Sequence, residues 1–280
     1  MLNNQPMGFY SPATLVKDAQ RHGLKVKPID VTKSGWLCTL ENGALRLGMR
    51  YVKGMRDSVA HAIVEARTRA PFTCVDDLAR RVSDLQKREL ILLAEVGALN
   101  FLSPEHRMHR RDALWQVERS CRRTGPLLET IDVPDMASPL SQMTEEERLV
   151  ADFHGTGMTV GPHPMAYYRE ELNSLGVLRA TDLASVLNGT YVRVAGAVIA
   201  RQRPGTAKGF VFLSLEDETG ISNAIITPDI FQQNRFTVVG GRFLLIEGRL
   251  QNVDNVISVK ADHVEILPVS EAAVTSHDFH

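Results

Sequence analysis

The 280-residue sequence predicts a multidomain α+β protein, in which a helical region is followed by a small five-stranded β-barrel. Apolar residues recur at helical spacing from Ala44 to about Gln116, and after about Gly189 the spacing changes to alternation. A chain of this length is near the upper size for a single hydrophobic core. We therefore expect two or more domains.

The composition is typical of a globular protein, with 44% hydrophobic, 23% charged and 6% aromatic residues. Bulk disorder, collagen and coiled coil are excluded. Cys38, Cys74 and Cys121 are odd in number and contain no C-x-x-C pair, which argues against a disulfide framework and a zinc site. Without a signal peptide or a long apolar run, we expect a cytoplasmic protein with no membrane partner.

Charge is distributed unevenly along the chain. Residues 1–125 contain 21 Lys and Arg against 13 Asp and Glu, residues 126–188 contain 3 against 10, and residues 189–280 contain 8 against 10. This pattern predicts a region that binds a polyanion, followed by a segment that would repel the same ligand.

The first forty residues predict one helix and one strand. Ser11 followed by Pro12 is typical of a helix start, and alternation from Leu24 to Ile29 indicates a strand. These two elements cannot form a core alone, so we expect them to be the end of something larger and Met1 to be a doubtful biological start.

Short helices are predicted in the next region, and a linker follows them. The predicted helices are Leu45 to Tyr51, Ser58 to Arg67, Val75 to Arg81, Lys87 to Val96, and Arg110 to Val117. The Pro-containing stretch from Gly125 to Pro139 indicates a linker. Thr144 and Glu147 then form a predicted capping box that opens an acidic helix.

Five strands are predicted after Gly189: 191–199, 210–215, 221–226, 242–248 and 256–261. A short helical stretch from Pro228 to Phe236 lies between the third and fourth strands. This is the element order of an OB-fold, a small barrel that binds oligonucleotides on its second and third strands and adjoining loops. Gly196, Gly220 and Gly248 fall where such a barrel must bend or turn.

The segment Val52 to Val64 matches a helix-hairpin-helix, because Gly54 stands between hydrophobic positions at the required spacing. Backbone N–H groups at such a glycine hairpin can hold a DNA phosphate without reading sequence. We assign Lys53, Gly54, Met55 and Arg56 as DNA-binding candidates, although Arg56 replaces the second glycine of the usual hairpin. The alternative is an ordinary corner between two helices.

A weaker second corner surrounds Gly97, and for it a purely structural role is an equal alternative. We include Gly97 in the DNA-binding set, together with Arg110 and Arg111 at the start of the following helix.

The loop between the first and second barrel strands contains Arg201, Arg203 and Lys208, and the second strand contains Phe210 and Phe212. Cations beside aromatic rings suit single-stranded nucleic acid, because each nucleotide offers a phosphate and a base that can stack. The alternative is that one or both Phe rings fill the barrel interior.

The sequence supports no catalytic or metal-binding assignment. Asp76 and Asp77 are neighbours in a helical pattern, so their side chains diverge. His106 and His109 lack a third ligand nearby, and common phosphate-loop, dinucleotide-binding and zinc-protease motifs are missing.

Residues 5–23, 45–54, 201–209 and 215–220 together resemble DnaE-type error-prone DNA polymerases, bacterial enzymes of the C family. The stretch Q-R-P-G-T-A-K-G at 202–209 is specific enough to separate these error-prone enzymes from the replicative branch of the family. The resemblance, which runs from residue 1 to about 267, implies the end of a fingers domain (1–40), tandem helix-hairpin-helix elements (41–125), a linker with acidic helices (126–188) and an OB-fold (189–267). We expect residues 268–280 to be a flexible tail.

The resemblance also implies that the palm domain, with its metal-binding aspartates, lies upstream. We therefore expect no cofactor in this chain, Mg²⁺ only in the missing palm, and no polymerase activity from the chain alone. The expected partners are single-stranded template DNA, duplex backbone and other mutagenesis proteins. Clamp binding is not carried over, since the stretch near Gln142 lacks the motif. The alternative function is a non-catalytic protein-interaction module that tethers a mutagenesis complex.

Overall fold

The computed structural model describes residues 1–8, 10–102, 108–120, 138–254, 256–268 and 277–279, the last three by backbone alone. The helices are α1 (Pro12–Arg21), α2 (Asp57–Arg69), α3 (Val75–Arg81), α4 (Lys87–Glu95), α5 (Arg110–Ser120), α6 (Glu145–Thr156), α7 (Arg169–Ser174), α8 (Pro228–Gln233) and α9 (Arg235–Gly240). The strands are β1 (Lys25–Lys27), β2 (Thr39–Glu41), β3 (Ala44–Arg46), β4 (Val177–Leu178), β5 (Tyr191–Gln202), β6 (Val211–Glu216), β7 (Ile221–Ile226), β8 (Phe243–Val253), β9 (Val256–Ile266) and β10 (His277–Phe279).

The chain forms two compact units. One unit, the helical unit, consists of Leu24–Thr156, and the other, the barrel unit, combines Met1–Gly23 with Gly157–His280. None of the helices in the described ranges is both long and apolar enough to cross a membrane.

The helical unit buries one face of each of its main helices. In α2 the buried residues include Val59, Ala60 and Ile63, and in α4 they include Leu90 and Leu93. These positions recur every three or four residues, which places them on one side of a helix. A small sheet in the order β1-β3-β2 precedes these helices.

Two predicted helix starts are confirmed. The Ser11 hydroxyl accepts a hydrogen bond from the Thr14 amide at 3.2 Å at the start of α1. At the start of α6 the Glu147 amide donates to the Thr144 hydroxyl at 3.2 Å, and the Thr144 amide donates to the Glu147 carboxylate at 2.8 Å. This reciprocal pair is the predicted capping box.

The predicted helix from Leu45 to Tyr51 is wrong. Residues 44–46 form β3, and a 3-10 turn follows at Met49–Tyr51. The Met49 amide donates to the Gly35 carbonyl at 2.8 Å instead of to a carbonyl four residues earlier. A Cβ on Gly48 would lie 2.3 Å from the Trp36 carbonyl oxygen, so this close approach of two backbone segments requires glycine.

The barrel unit closes a sheet in the order β5-β6-β7-β9-β8, because β8 also pairs with β5. Helices α8 and α9 lie between β7 and β8, as expected. The interior is filled by alternate residues of every strand, among them Val194, Leu213, Ile226, Ile246 and Val259. The predicted fold, a helix-hairpin-helix region followed by a five-stranded OB-fold barrel, is confirmed.

Residues 277–279 lie in the segment that was predicted to be a flexible tail. They form β10, which pairs in parallel with residues 200–202 of β5. The predicted linker around 125–137, together with Cys121 and His106, lies outside the described residues. Within the described part of the chain, no cluster of three or more His, Cys, Asp or Glu residues could hold a metal ion.

Candidate nucleic-acid interface

The hairpin glycine Gly54 adopts a φ of +87°, which favours glycine, and it lies between Val52 and the start of α2. Lys53 is exposed, but its ammonium donates to the Phe153 carbonyl at 2.9 Å and its amide donates to the Gly155 carbonyl at 2.8 Å. Met55 is buried, with 8% of its surface exposed. The hairpin is therefore held against the end of α6.

Arg56 binds a carboxylate of its own unit. Its Nε and Nη2 atoms donate to the two carboxylate oxygens of Glu89 at 3.0 and 2.8 Å, and Nη2 also donates to the Asp84 carbonyl at 2.6 Å. The Arg56 amide, one of the groups predicted to hold a phosphate, donates to Glu89 at 3.2 Å. At the position of the usual second hairpin glycine this chain therefore has Arg56, which forms an ion pair inside the helical unit.

Burial raises the pKa of Glu89, but the hydrogen bonds from Arg56 and from the Gln86 amide outweigh it and lower the pKa below its usual 4.5. A lowered pKa in the folded state stabilises the protein above the pKa of the unfolded state, and this stabilisation is lost as pH falls. We expect Glu89→Gln to cost about 2 kcal/mol of unfolding free energy at pH 7 and progressively less below about pH 4.5.

Denaturant titrations at several pH values measure this difference. The control is Glu146→Gln, which changes an exposed carboxylate of α6. If wild type and Glu89→Gln differed by the same free energy at every pH, the pair would contribute nothing that depends on charge.

Gly97 terminates α4. Its φ is +77°, its amide donates to the Ala94 carbonyl at 3.0 Å, and the Ala98 amide donates to the Leu93 carbonyl at 2.8 Å. This arrangement is a Schellman cap, in which the glycine amide is satisfied inside the protein. Gly97 is buried.

Arg110 and Arg111 connect α5 to the acidic helix α6. Arg110 binds Asp152 at 2.6 Å, and Arg111 binds Glu147 at 2.7 Å. Two acidic residues of segment 126–188 therefore neutralise two basic residues of segment 1–125 within the helical unit.

Arg88 is an exposed cation at the hairpin that the sequence analysis missed. Its Nη2 atom would lie 3.8 Å from a Cβ placed on Gly54. The residue is the second of α4 and lies 34 positions after Gly54, so no local spacing could have indicated this proximity.

The three barrel-loop cations have different environments. Arg201 is 8% exposed, and it donates from Nε to the Val238 carbonyl at 2.8 Å and from Nη2 to the Gly241 carbonyl. Arg203 and Lys208 are exposed. The Arg203 guanidinium lies 4.7 Å from the centre of the Phe231 ring, a cation–π contact. Two of the three cations can therefore face a ligand.

Phe212 lies on the outside of the barrel. Its neighbours Val211 and Leu213 belong to the core, whereas the Phe212 ring is 38% exposed. Phe210 precedes β6 and is half-buried. Its amide donates to the Ala207 carbonyl at 3.0 Å, so it belongs to the end of the loop.

Strand register extends this face across the sheet. Phe212 pairs with Gln202 of β5 and Ile225 of β7, and Ile225 pairs with Lys260 of β9. On the next row Ser214 pairs with Asn223. We call five outward residues of β6, β7 and β9 the front face: Phe212, Ser214, Asn223, Ile225 and Lys260.

Lys260 and Asn223 were not predicted as site residues. The alternation of burial along β7 and β9 shows their outward direction, but the pairing of β7 with β9 is parallel and joins segments 35 residues apart. Front-face neighbours of this kind follow only from the three-dimensional register.

Comparisons with known proteins support both units. Residues 23–111 match the helix-hairpin-helix motif, and residues 192–267 match the OB-fold nucleic acid binding domain. An asparaginyl-tRNA synthetase from Pyrococcus horikoshii shares 25% identity over 29% of this chain and 20% of that chain, with a TM-score of 0.25.

Two of the curated relatives that match the entire chain come from Azoarcus and Anaeromyxobacter, and both are named error-prone DNA polymerase. The protein from Azoarcus sp. (strain BH72) is 43% identical over 292 residues, which is 27% of its length. The protein from Anaeromyxobacter sp. (strain K) is 41% identical over 293 residues, which is 25% of its length. The chain thus spans about a quarter of the length of these relatives, and along its whole length it is similar in sequence to error-prone DNA polymerases.

Proposed function

We propose that this chain is the DNA-binding C-terminal part of an error-prone DNA polymerase, and that its front face holds single-stranded template. The outward Phe212 ring carries the proposal, because it lies in one row with Lys260 and follows the loop of Arg203 and Lys208. An exposed ring stacks on any base, and the cations bind phosphates. In the whole polymerase this part would act in damage-induced mutagenesis and translesion synthesis.

For the helical unit we propose a weaker contact to duplex backbone. Arg56, Arg110 and Arg111 form ion pairs inside the unit, and the Gly97 amide is satisfied. The contact would then rest on the backbone around Gly54, with Lys53 and Arg88 beside it.

Removing the exposed cations Arg203, Lys208 and Lys260 should reduce the salt dependence of single-strand binding. Each lost phosphate contact lowers the slope of log K against log salt by about 0.7 for single strands, so Arg203→Ala, Lys208→Ala and Lys260→Ala combined should lower it by about 2. Fluorescence anisotropy of a labelled oligonucleotide at several salt concentrations measures the slope. Arg235→Ala, which removes one exposed cation of α9 outside the front face, is the control and should leave the slope unchanged. Equal slopes in triple variant and wild type would contradict the proposal.

The second candidate function is a non-catalytic module that tethers a mutagenesis complex. It is favoured by α9, where Phe236 and Val239 are 92% and 50% exposed three residues apart. If the chain bound no oligonucleotide at low salt, this function would replace the first.

We expect the isolated chain not to extend a primer when it is given Mg²⁺ and all four nucleotides, because the family resemblance assigns the metal-binding aspartates to a palm upstream. A primer-extension gel measures this. Template-directed incorporation that exceeds a buffer control and survives repurification would contradict the expectation.

A further inference from the structure

A groove of about 290 Å³ lies in the barrel unit and shares Ser214 and Asn223 with the front face. Tyr10 lines the groove from the segment before α1, and Ile199, Ala200, Ser214 and Asn223 line it from the barrel. A cavity of this size is at the lower end of small-molecule sites, which suits one flat ring system.

Two contacts hold α1 within the barrel unit, one of them to a barrel strand, and so position Tyr10. The Arg21 guanidinium lies 2.9 Å from the buried carboxylate of Glu216 on β6, and the Lys17 ammonium donates to the Gly161 carbonyl at 2.5 Å. The Ser11 cap then starts α1 directly after Tyr10. Tyr10 itself is 58% exposed, so its ring is accessible.

The floor of the groove is formed by an irregularity in β5. The register with β6 shifts between Val198 and Ala200, so Ile199 and Ala200 both line the groove although they are consecutive. A bulge of this kind redirects a side chain that regular alternation would place on the other face. The small side chain of Ala200 leaves the space open.

The polar wall offers hydrogen-bond donors. The Ser214 hydroxyl donates to the carboxamide oxygen of Asn223 at 3.0 Å, which orients the amide. The Asn223 NH₂ group is then directed away from Ser214, and it is able to donate to carbonyl oxygens such as those on the edge of thymine.

The spacing between the groove and Phe212 favours an unstacked strand. Ser214 lies two residues from Phe212 on β6, which corresponds to about 7 Å along the strand. Neighbouring bases in a stacked strand are about 3.4 Å apart. A base on Phe212 and the next base in the groove can therefore bind together only when the two are unstacked.

We propose that this groove is a pocket for one unstacked nucleobase of the single strand that the front face holds, with Tyr10 stacking on the base and Asn223 donating to its edge. The pocket rests on the proposed function, because a strand must first lie on the front face.

The test measures binding of a labelled oligothymidylate of about 16 nucleotides to the full chain by anisotropy. We expect Tyr10→Ala to weaken binding about tenfold or more, because it removes one base–aromatic contact. Ala200→Leu should weaken binding similarly by filling the groove. Tyr191→Ala, which removes a comparably exposed tyrosine outside the groove, should bind as wild type does.

A thermal melt of each variant separates binding from folding. The pocket is supported if Tyr10→Ala and Ala200→Leu both have the melting temperature of the wild type and both bind the oligonucleotide more weakly. If both variants bound like wild type while Phe212→Ala was impaired, the pocket would be wrong and the front face would stand. If the wild type did not bind the oligonucleotide, or if Phe212→Ala bound it as tightly as the wild type does, the proposed function itself would fail.

Discussion

Phe212→Ala is expected to weaken single-strand binding by about 5- to 150-fold and to leave thermal unfolding nearly unchanged. Stacking of one base on an aromatic ring contributes about 1–3 kcal/mol, which corresponds to that range. The Phe212 ring is 38% exposed and its neighbours in the core are Val211 and Leu213. Removing it should therefore leave no cavity.

The matched control is Phe236→Ala, because Phe236 is 92% exposed on α9 and is not a front-face residue. Its removal should change neither affinity nor melting. Anisotropy titrations and thermal melts of wild type and both variants decide the matter.

A core role for Phe212 would give a different result. Deleting a buried Phe costs about 3–5 kcal/mol of stability, so a large fall in melting temperature would remove Phe212 from the site. Phe210→Ala is informative in the same way, because that ring is half-buried at the end of the loop. A stable Phe210→Ala variant with reduced affinity would extend the front face toward Lys208.

The barrel could be predicted from sequence because alternation is a local property. Each strand alternates between core and outside, and this pattern alone indicated five strands and their order along the chain. The helix predicted at 45–51 failed for the opposite reason. There the amides of Met49 and Arg50 bond to the backbone of Gly35 and Trp36, a contact that no local pattern encodes.

The same distinction between local patterns and distant contacts applies to the site residues. Arg201 and Arg203 have the same residue type and lie two positions apart, yet one donates to carbonyls about 40 residues away and the other is exposed. Arg56 likewise binds Glu89, 33 residues later. Whether a cation is available to a ligand depends on such distant acceptors, so sequence could indicate the loop but not which of its cations face out.

Gly248→Ala is expected to destabilise the barrel by about 3 kcal/mol and to lower the melting temperature by roughly 10 °C. A Cβ at this position would lie 2.0 Å from the Lys260 carbonyl oxygen and 2.8 Å from the Lys260 carbonyl carbon. These atoms belong to the backbone of β9, which cannot move without disturbing the pairing of β9 with β7 and β8. The register also shifts between Glu247 and Gly248, so the strands already approach closely here.

Gly240→Ala is the control, because a Cβ there meets no atom within 4 Å and the backbone is not left-handed. Its melting temperature should match that of wild type. Since Lys260 is a front-face residue, a displaced β9 should also shift its ammonium, and Gly248→Ala is expected to bind the oligonucleotide more weakly even where it remains folded. The contrary result would be a Gly248→Ala variant with the melting temperature and the oligonucleotide affinity of the wild type. In that case β8 and β9 could move apart without loss of stability, and the rigid placement of Lys260 would be wrong.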